Sequence, residues 1–143
     1  MSLVIDSSIT LAWLFADERT EAANAVLQSA TESGAVAPSL WRLEVANALQ
    51  MAVRRKRIDA AFRDASIKDL RGLDIEIDAE TDAHAWKATL QLSDRYGLTL
   101  YDAAYLELAQ RRDLPLATLD QQLRVAAAAL GVVVLGAASE GSA

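Results

Sequence analysis

Short apolar runs alternate with longer amphipathic segments along the chain. The runs typical of buried strands lie at 2–5, 35–38, 114–119 and 132–135, and an alternating acidic and apolar segment typical of an edge strand lies at 74–78. Segments with helical spacing or helical start and stop signals lie at 7–16, 20–33, 39–57, 59–73, 81–96, 99–112 and 120–130. This order predicts an α/β fold with a mostly parallel central sheet of about five short strands and helices on both faces.

The chain reads as one domain. No repeat, linker or shift in composition divides its 143 residues, so we predict a single domain over 1–136, followed by a flexible tail of small and polar residues at 137–143. An apolar fraction of 52% with only 2 prolines and 6 glycines excludes a disordered or linker-like chain. The longest uncharged stretch, 125–139, is interrupted by glycines and falls short of the roughly 20 apolar residues of a membrane span. We therefore expect no membrane association.

Several kinds of chemistry are excluded by residue type. The chain has no cysteine, which excludes disulfides, thiolate metal sites and cysteine nucleophiles and permits the reducing, cytoplasmic location that we expect. A single histidine, His84, does not suffice for a histidine-rich metal site. Dinucleotide-binding, P-loop, nucleophile-elbow and zincin motifs are missing. The net charge of −6 argues against a module that binds nucleic acid by charge alone.

Four carboxylates occupy positions that suggest a shared site. Asp6 and Asp120 directly follow predicted strands, Asp102 lies in the first turn of a predicted helix, and Glu44 lies within a strongly apolar helix. Each has an ordinary alternative: the aspartates as helix caps, and the glutamate as a residue that faces water. Ligand sites of parallel α/β sheets form beyond the carboxyl ends of the strands. We therefore expect all four side chains to meet in one acidic pocket at that edge.

Such a pocket needs a counter-ion. Two like charges about 4 Å apart repel by about 4 kcal/mol at an effective dielectric constant of about 20, whereas a helix cap contributes only about 1 kcal/mol. A set of ligands made only of oxygen atoms selects Mg²⁺ or Mn²⁺, and Mg²⁺ is typically shared with a substrate phosphate. The pattern thus predicts metal-assisted hydrolysis of phosphodiester bonds.

Four segments, in this order along the chain, resemble PIN-domain proteins and in particular the VapC-type ribonuclease toxins of prokaryotic toxin–antitoxin pairs. They are VIDSS at 4–8, EVANAL at 44–49, YDAAYLELA at 101–109 and LATLD at 116–120. The resemblance implies a PIN-like α/β/α sandwich and an endoribonuclease dependent on Mg²⁺ or Mn²⁺. It also implies that Ser8 and Thr118 help to orient ligands, that the protein is a homodimer, and that a cognate antitoxin blocks the active site.

The four acids are expected to differ in role. Asp6 and Asp102 are the predicted direct ligands of the metal. Glu44 is expected either to bind the metal through water or to accept a proton from the attacking water. Asp120 is expected either to hold a second metal ion or to support the first, and the sequence leaves open whether there are one or two ions.

Two other functions fit parts of the pattern. A receiver-like signalling domain also binds Mg²⁺ with acids at strand ends, but it needs a lysine near the phosphoryl site. The three lysines, Lys56, Lys68 and Lys87, lie in predicted helices instead. A catalytically silent PIN-like interaction module is the second alternative, and the complete set of acids argues against it.

Further residues have open or structural interpretations. The basic run at 54–57 is expected either to contact RNA phosphates or an acidic partner, or to complement a helix dipole. Arg111 and Arg112 are expected to complement the dipole of the helix that they end. Tyr101 and Tyr105, four residues apart on one helix, are both predicted to pack in the core.

Overall fold

The computed structural model describes residues 2–137 and contains one five-stranded sheet. The strands are β1 (Val4–Ile5), β2 (Ala35–Pro38), β3 (Ile75–Asp78), β4 (Leu116–Ala117) and β5 (Val134–Leu135). They lie in the order β3-β2-β1-β4-β5, and all neighbouring pairs are parallel. The predicted α/β class, the parallel sheet and the edge position of β3 are confirmed. Strands β4 and β5 are shorter than predicted, because only two residues of each pair with the neighbouring strand.

Helices flank this sheet and account for most of the chain. They are α1 (Ser7–Leu14), α2 (Glu21–Ser33), α3 (Trp41–Arg54), α4 (Ala60–Arg71), α5 (Thr81–His84), α6 (Leu90–Tyr96), α7 (Leu100–Arg112) and α8 (Gln121–Ala129). A short 3₁₀ helix, Ala16–Glu18, follows α1, and a π-helical turn, Ala85–Thr89, joins α5 to α6. The single helix predicted at 81–96 is therefore three consecutive helical pieces. Of the predicted tail, residues 138–143 lie outside the described residues.

Side-chain caps explain where most helices begin. The side chains that accept a backbone N–H at a helix start are those of Asp6, Thr20, Asp59, Thr99 and Asp120. The predicted cap at Ser39 is wrong, since α3 begins after Leu40 without a side-chain cap. Ser39 lies in a turn, where its N–H donates to Thr81 Oγ1 at 3.1 Å.

Helix α3 also ends earlier than predicted, at Arg54, so most of the basic run lies beyond it. Arg57 turns towards the 3₁₀ helix, where its guanidinium bonds Asp17 and Glu18 at 2.8 Å each. The same guanidinium lies 4.1 Å from the ring centroid of Phe15. This member of the run is therefore engaged within the fold, and the binding role of the run stays a prediction.

Among the helices of the described residues, α7 has the longest continuous buried stretch. It contacts β1, β2 and β4, and every residue from Ala103 to Ala109 is buried. Its small alanines allow the close approach to the sheet, while its first turn, which carries Asp102, remains partly accessible. The helix thereby places one acidic side chain at the edge of the core.

The other end of α7 is fixed to the edge strand. Arg111 donates to Asp78 Oδ2 at 2.6 Å and to Glu107 Oε2 at 2.7 Å, and both carboxylates are buried. Arg112 bonds the exposed Glu76 at 2.6 Å. The two arginines lie in the last turn as predicted, and in addition they join α7 to β3.

Candidate active site

Asp6 is the most deeply buried carboxylate of the site, with 4% of the residue exposed. It follows β1 directly and caps α1, because Oδ1 accepts the N–H of Ile9 at 3.0 Å. Oδ1 also accepts the hydroxyl of Ser8 at 2.7 Å, and Oδ2 accepts the hydroxyl of Thr118. A carboxylate has about four lone-pair sites. Three donors therefore occupy two of these sites on Oδ1 and one on Oδ2.

Burial makes the ionised form of Asp6 unfavourable. Loss of water raises the pKa of Asp6 to about 6, although the hydrogen bonds from Thr118, Ile9 and Ser8 oppose the rise. The negative charge of Asp102 raises this pKa further. A buried acid with such a pKa is typical of a site in which a cation or proton balances the charge.

The two hydroxyls that bond Asp6 also connect it to the end of β4. Ser8 Oγ accepts the N–H of Leu119 at 2.9 Å, and Thr118 Oγ1 accepts the N–H of Asp120 at 3.0 Å. Each hydroxyl therefore donates to Asp6 and accepts from the backbone that leads to Asp120. The structure thus brings both predicted hydroxyls to Asp6.

Asp102 and Asp120 stand at the starts of two helices. Asp120 caps α8 by accepting the N–H of Leu123 at 2.9 Å, and the N–H of Asp102 donates to the cap residue Thr99 at 3.1 Å. Burial raises the pKa of Asp102, the charge of Asp120 raises it further, and the Thr99 hydroxyl lowers it. Capping and electrostatic coupling are therefore both present at these two aspartates.

Glu44 reaches the site from α3. Its Oε1 accepts the hydroxyl of Tyr105, a residue of α7, at 2.5 Å. Burial raises the pKa of Glu44, the Tyr105 hydrogen bond opposes this rise, and the charge of Asp102 adds to it. The four predicted acids are thus coupled electrostatically, with Asp102 as the shared neighbour of the others.

Sequence reasoning missed two contributors to the site. Tyr105 packs in the core as predicted, but its hydroxyl reaches Glu44; its position three residues after Asp102, on the same helix face, was the available signal. Arg124 of α8 donates to the carbonyl of Thr118 at 2.7 Å, and no local pattern marks it. The prediction that Tyr101 is a core residue is wrong: it is 63% exposed, because the buried part of α7 begins only at Ala103.

The donor set fits a hard divalent cation in chemistry, but it is not a finished metal cage. Within residues 2–137, no group of three or more His, Asp or Glu side chains is arranged to hold a metal ion. Mg²⁺ typically keeps several waters and binds one or two carboxylates together with substrate phosphates. The oxygen donors of Asp6, Asp102, Glu44 and Asp120 suit Mg²⁺ or Mn²⁺ in chemical type, and their role as ligands stays a prediction.

The protein is an α/β protein with a parallel sheet, and aspartates cap the helices that follow two neighbouring strands, β1 and β4. An acidic site at the carboxyl edge of such a sheet is typical of α/β enzymes. A model of the PIN domain matches residues 3–129, and the chain belongs to this family. Its curated relative Ribonuclease VapC3 from Pyrobaculum aerophilum is 32% identical over 123 residues, which are 86% of this chain and 92% of that protein. The resemblance stated from the four motifs is confirmed.

Solved structures with the same fold are less similar in sequence. PAE2754 from Pyrobaculum aerophilum has a TM-score of 0.68 at 23% identity, and the match covers 94% of this chain and 83% of the PAE2754 chain. VapC20 from Mycobacterium tuberculosis, described as a toxin that cleaves the sarcin-ricin loop, has a TM-score of 0.63 at 16% identity over 87% and 94% of the two chains. A toxin–antitoxin complex from Klebsiella pneumoniae has a TM-score of 0.53 at 19% identity over 82% and 86%.

The receiver-like alternative loses its support. Of the three lysines, Lys68 lies in α4, Lys87 in the π-helical turn, and Lys56 just beyond α3, so none follows a strand. Lys56 thus lies outside the helix predicted for it.

Among the helices of residues 2–137, none combines the length and the apolar character that a membrane span requires.

Proposed function

We propose that this protein is a metal-dependent endoribonuclease that hydrolyses RNA phosphodiester bonds and acts as the toxin of a toxin–antitoxin pair. The observation that carries this proposal is the burial of Asp6 beside the charge of Asp102, with its carboxylate fixed by hydrogen bonds from Ser8, Ile9 and Thr118. The printed name of the relative, Ribonuclease VapC3, supports RNA as the substrate class. The protein acts in the cytoplasm, where its substrate lies.

Each acid has a distinct task in this proposal. Asp6 and Asp102 hold Mg²⁺ or Mn²⁺, and Ser8 and Thr118 keep the Asp6 carboxylate in one orientation. Such an ion would lower the pKa of a coordinated water and offset the charge that develops on the phosphate. Glu44 binds the ion through water or accepts the proton of the attacking water. Asp120 holds a second ion or supports the first.

An antitoxin and a second copy of the chain are the proposed protein partners. The similarity in fold to a toxin–antitoxin complex supports an antitoxin that covers the acidic site. Two large apolar side chains are exposed in the described part of the chain, Trp86 at 90% and Leu43 at 76%, and they support protein–protein contacts such as a homodimer. A catalytically silent interaction module would share these surfaces but would not cleave RNA, so an RNA-cleavage assay separates the two functions.

Cleavage of total RNA tests the enzyme proposal directly. The purified protein is incubated with total RNA in Mg²⁺ or Mn²⁺, with and without EDTA, and the new ends are mapped by sequencing. We expect discrete cuts that disappear with EDTA and with Asp6→Asn. Asp59→Asn is the matched control, because Asp59 also caps a helix but lies outside the site. Cuts of equal intensity with Asp6→Asn would contradict the proposal.

A further inference from the structure

Tyr105 combines a core position with a polar contact at the acidic site. Only 1% of the residue is exposed, and its ring belongs to the central apolar cluster of the fold. Its hydroxyl nevertheless donates to Oε1 of Glu44 at 2.5 Å, across a separation of 61 residues in the chain. A ring locked by packing holds its hydroxyl in one place, so the position of the donor is fixed by the core.

The charge of this donor suits its surroundings. The phenol of Tyr105 is neutral, and its hydroxyl is the donor of the hydrogen bond to Glu44 Oε1. A lysine or arginine in this place would neutralise an acid and compete with a metal ion. A phenol bonds the carboxylate without removing its negative charge.

We propose that Tyr105 is a positioning residue that holds Oε1 of Glu44 and thereby keeps the Glu44 carboxylate in one orientation at the acidic site. This inference rests on the proposed nuclease function. Glu44 is half-buried, and its Oε1 accepts the Tyr105 hydroxyl. This hydrogen bond restrains the Glu44 carboxylate, as backbone N–H groups restrain the carboxylates of Asp6 and Asp120. Loss of such supporting partners typically lowers metal affinity or activity by about 10- to 100-fold.

The variant Tyr105→Phe tests the proposal because it removes the hydroxyl and keeps the ring. We expect kcat for RNA cleavage to fall about 10- to 100-fold with little change in KM, and the Mn²⁺ concentration that gives half of the full thermal shift to rise. Tyr96→Phe is the matched control, because the buried Tyr96 hydroxyl has no hydrogen-bond partner within the described residues. We expect its kcat and its Mn²⁺ shift to equal those of the unmodified protein.

A double-mutant cycle shows whether Tyr105 acts through Glu44. Tyr105→Phe, Glu44→Ala and the double variant are compared by urea unfolding and by the Mn²⁺ thermal shift, neither of which needs activity. We expect Tyr105→Phe to have no further effect on the Mn²⁺ shift once Glu44 is alanine. Additive effects, or a Tyr105→Phe enzyme with unchanged kcat and Mn²⁺ shift, would overturn this inference. If Asp6→Asn also cleaves normally, the proposed function fails, whereas an inactive Asp6→Asn beside a normal Tyr105→Phe refutes the Tyr105 role alone.

Discussion

The hydroxyl of Thr118 donates a hydrogen bond to Oδ2 of Asp6, which lies 112 residues earlier in the chain. The parallel pairing of Ile5 with Ala117 brings these residues together, because each is the first residue after its strand. Strands that run in parallel and end at the same level release their next side chains into the same space. The sheet register therefore sets the geometry of the acidic site.

Replacement of Thr118 by valine keeps the shape of the side chain and removes its hydroxyl. Asp6 then loses one donor and the N–H of Asp120 loses its acceptor, so we expect a loss of about 1–3 kcal/mol in the free energy of unfolding. RNA cleavage is expected to fall as well. Urea unfolding and the cleavage assay measure the two effects.

Thr89→Val is the matched control for this substitution. Thr89 is also buried, but its hydroxyl has no hydrogen-bond partner in the described part of the chain. Its replacement is expected to leave stability unchanged or slightly raised, because no hydrogen bond is lost. Equal losses for the two variants would show that the Thr118 hydroxyl has no special role.

The metal-free protein is expected to lose stability as the pH rises from about 4 to about 6. In the folded protein the pKa of Asp6 is about 6, against 3.8 for an aspartate exposed to water in the unfolded chain, so the folded state binds more protons in this range. Stability falls with pH wherever the folded state binds the extra proton, and each unit of pKa difference corresponds to about 1.4 kcal/mol. Thermal unfolding in EDTA at several pH values measures this, with the penalty fully developed above pH 6.

The variant Asp6→Asn isolates this contribution. An amide still caps α1 but carries no charge, so the variant is expected to show a smaller decline, to which Glu44 and Asp102 still contribute, and to be the more stable protein at pH 8 without metal. Parallel stability curves for the two proteins between pH 4 and pH 8 would exclude Asp6 as the source.

Divalent metal is expected to stabilise the folded protein. A ligand that binds only the folded state at about 100 times its Kd contributes about 2.7 kcal/mol, so Mg²⁺ or Mn²⁺ should raise the Tm of the protein but not of Asp6→Asn. The proton on Asp6 must leave before a metal binds, so affinity should fall as the pH drops below about 6. Calorimetric titration with Mn²⁺ checks this, and an affinity that is constant down to pH 4 would contradict it.

The buried ion cluster at the end of α7 is expected to matter more for stability than its exposed neighbour. Arg111→Met strands the buried carboxylates of Asp78 and Glu107 and should cost about 3–5 kcal/mol. Arg112→Met breaks only an exposed pair and should cost less than about 1 kcal/mol.

Unfolding at acid pH tests whether the effect of Arg111→Met comes from the ion pair between Arg111 and Asp78. Burial raises the pKa of Asp78, but the hydrogen bonds from Arg111 and the backbone of Glu80 and the charge of Arg111 outweigh it, and the net pKa is lowered. The stabilisation is therefore present above pH 3.8 and lost as the pH falls further. Urea midpoints that differ equally at pH 7 and pH 3 would assign the Arg111 effect to lost packing instead.

Local signals in the chain were enough to predict the order of strands and helices, the parallel sheet and the acids at element ends. Apolar periodicity and capping side chains act over three or four residues, so Asp6, Thr99 and Asp120 could be placed at helix starts without a structure. Where the local signal was weak, as at Ser39, the predicted boundary was wrong.

Contacts between distant segments depended on packing, which no short pattern encodes. The register of β1 against β4 brings Thr118 to Asp6, and the burial of α7 against the sheet carries the Tyr105 hydroxyl to Glu44. The same packing raises the pKa of Asp6, since only a folded core removes water from its carboxylate. The chain specifies which groups are available, and the exclusion of water and the meeting of remote side chains give them their chemistry.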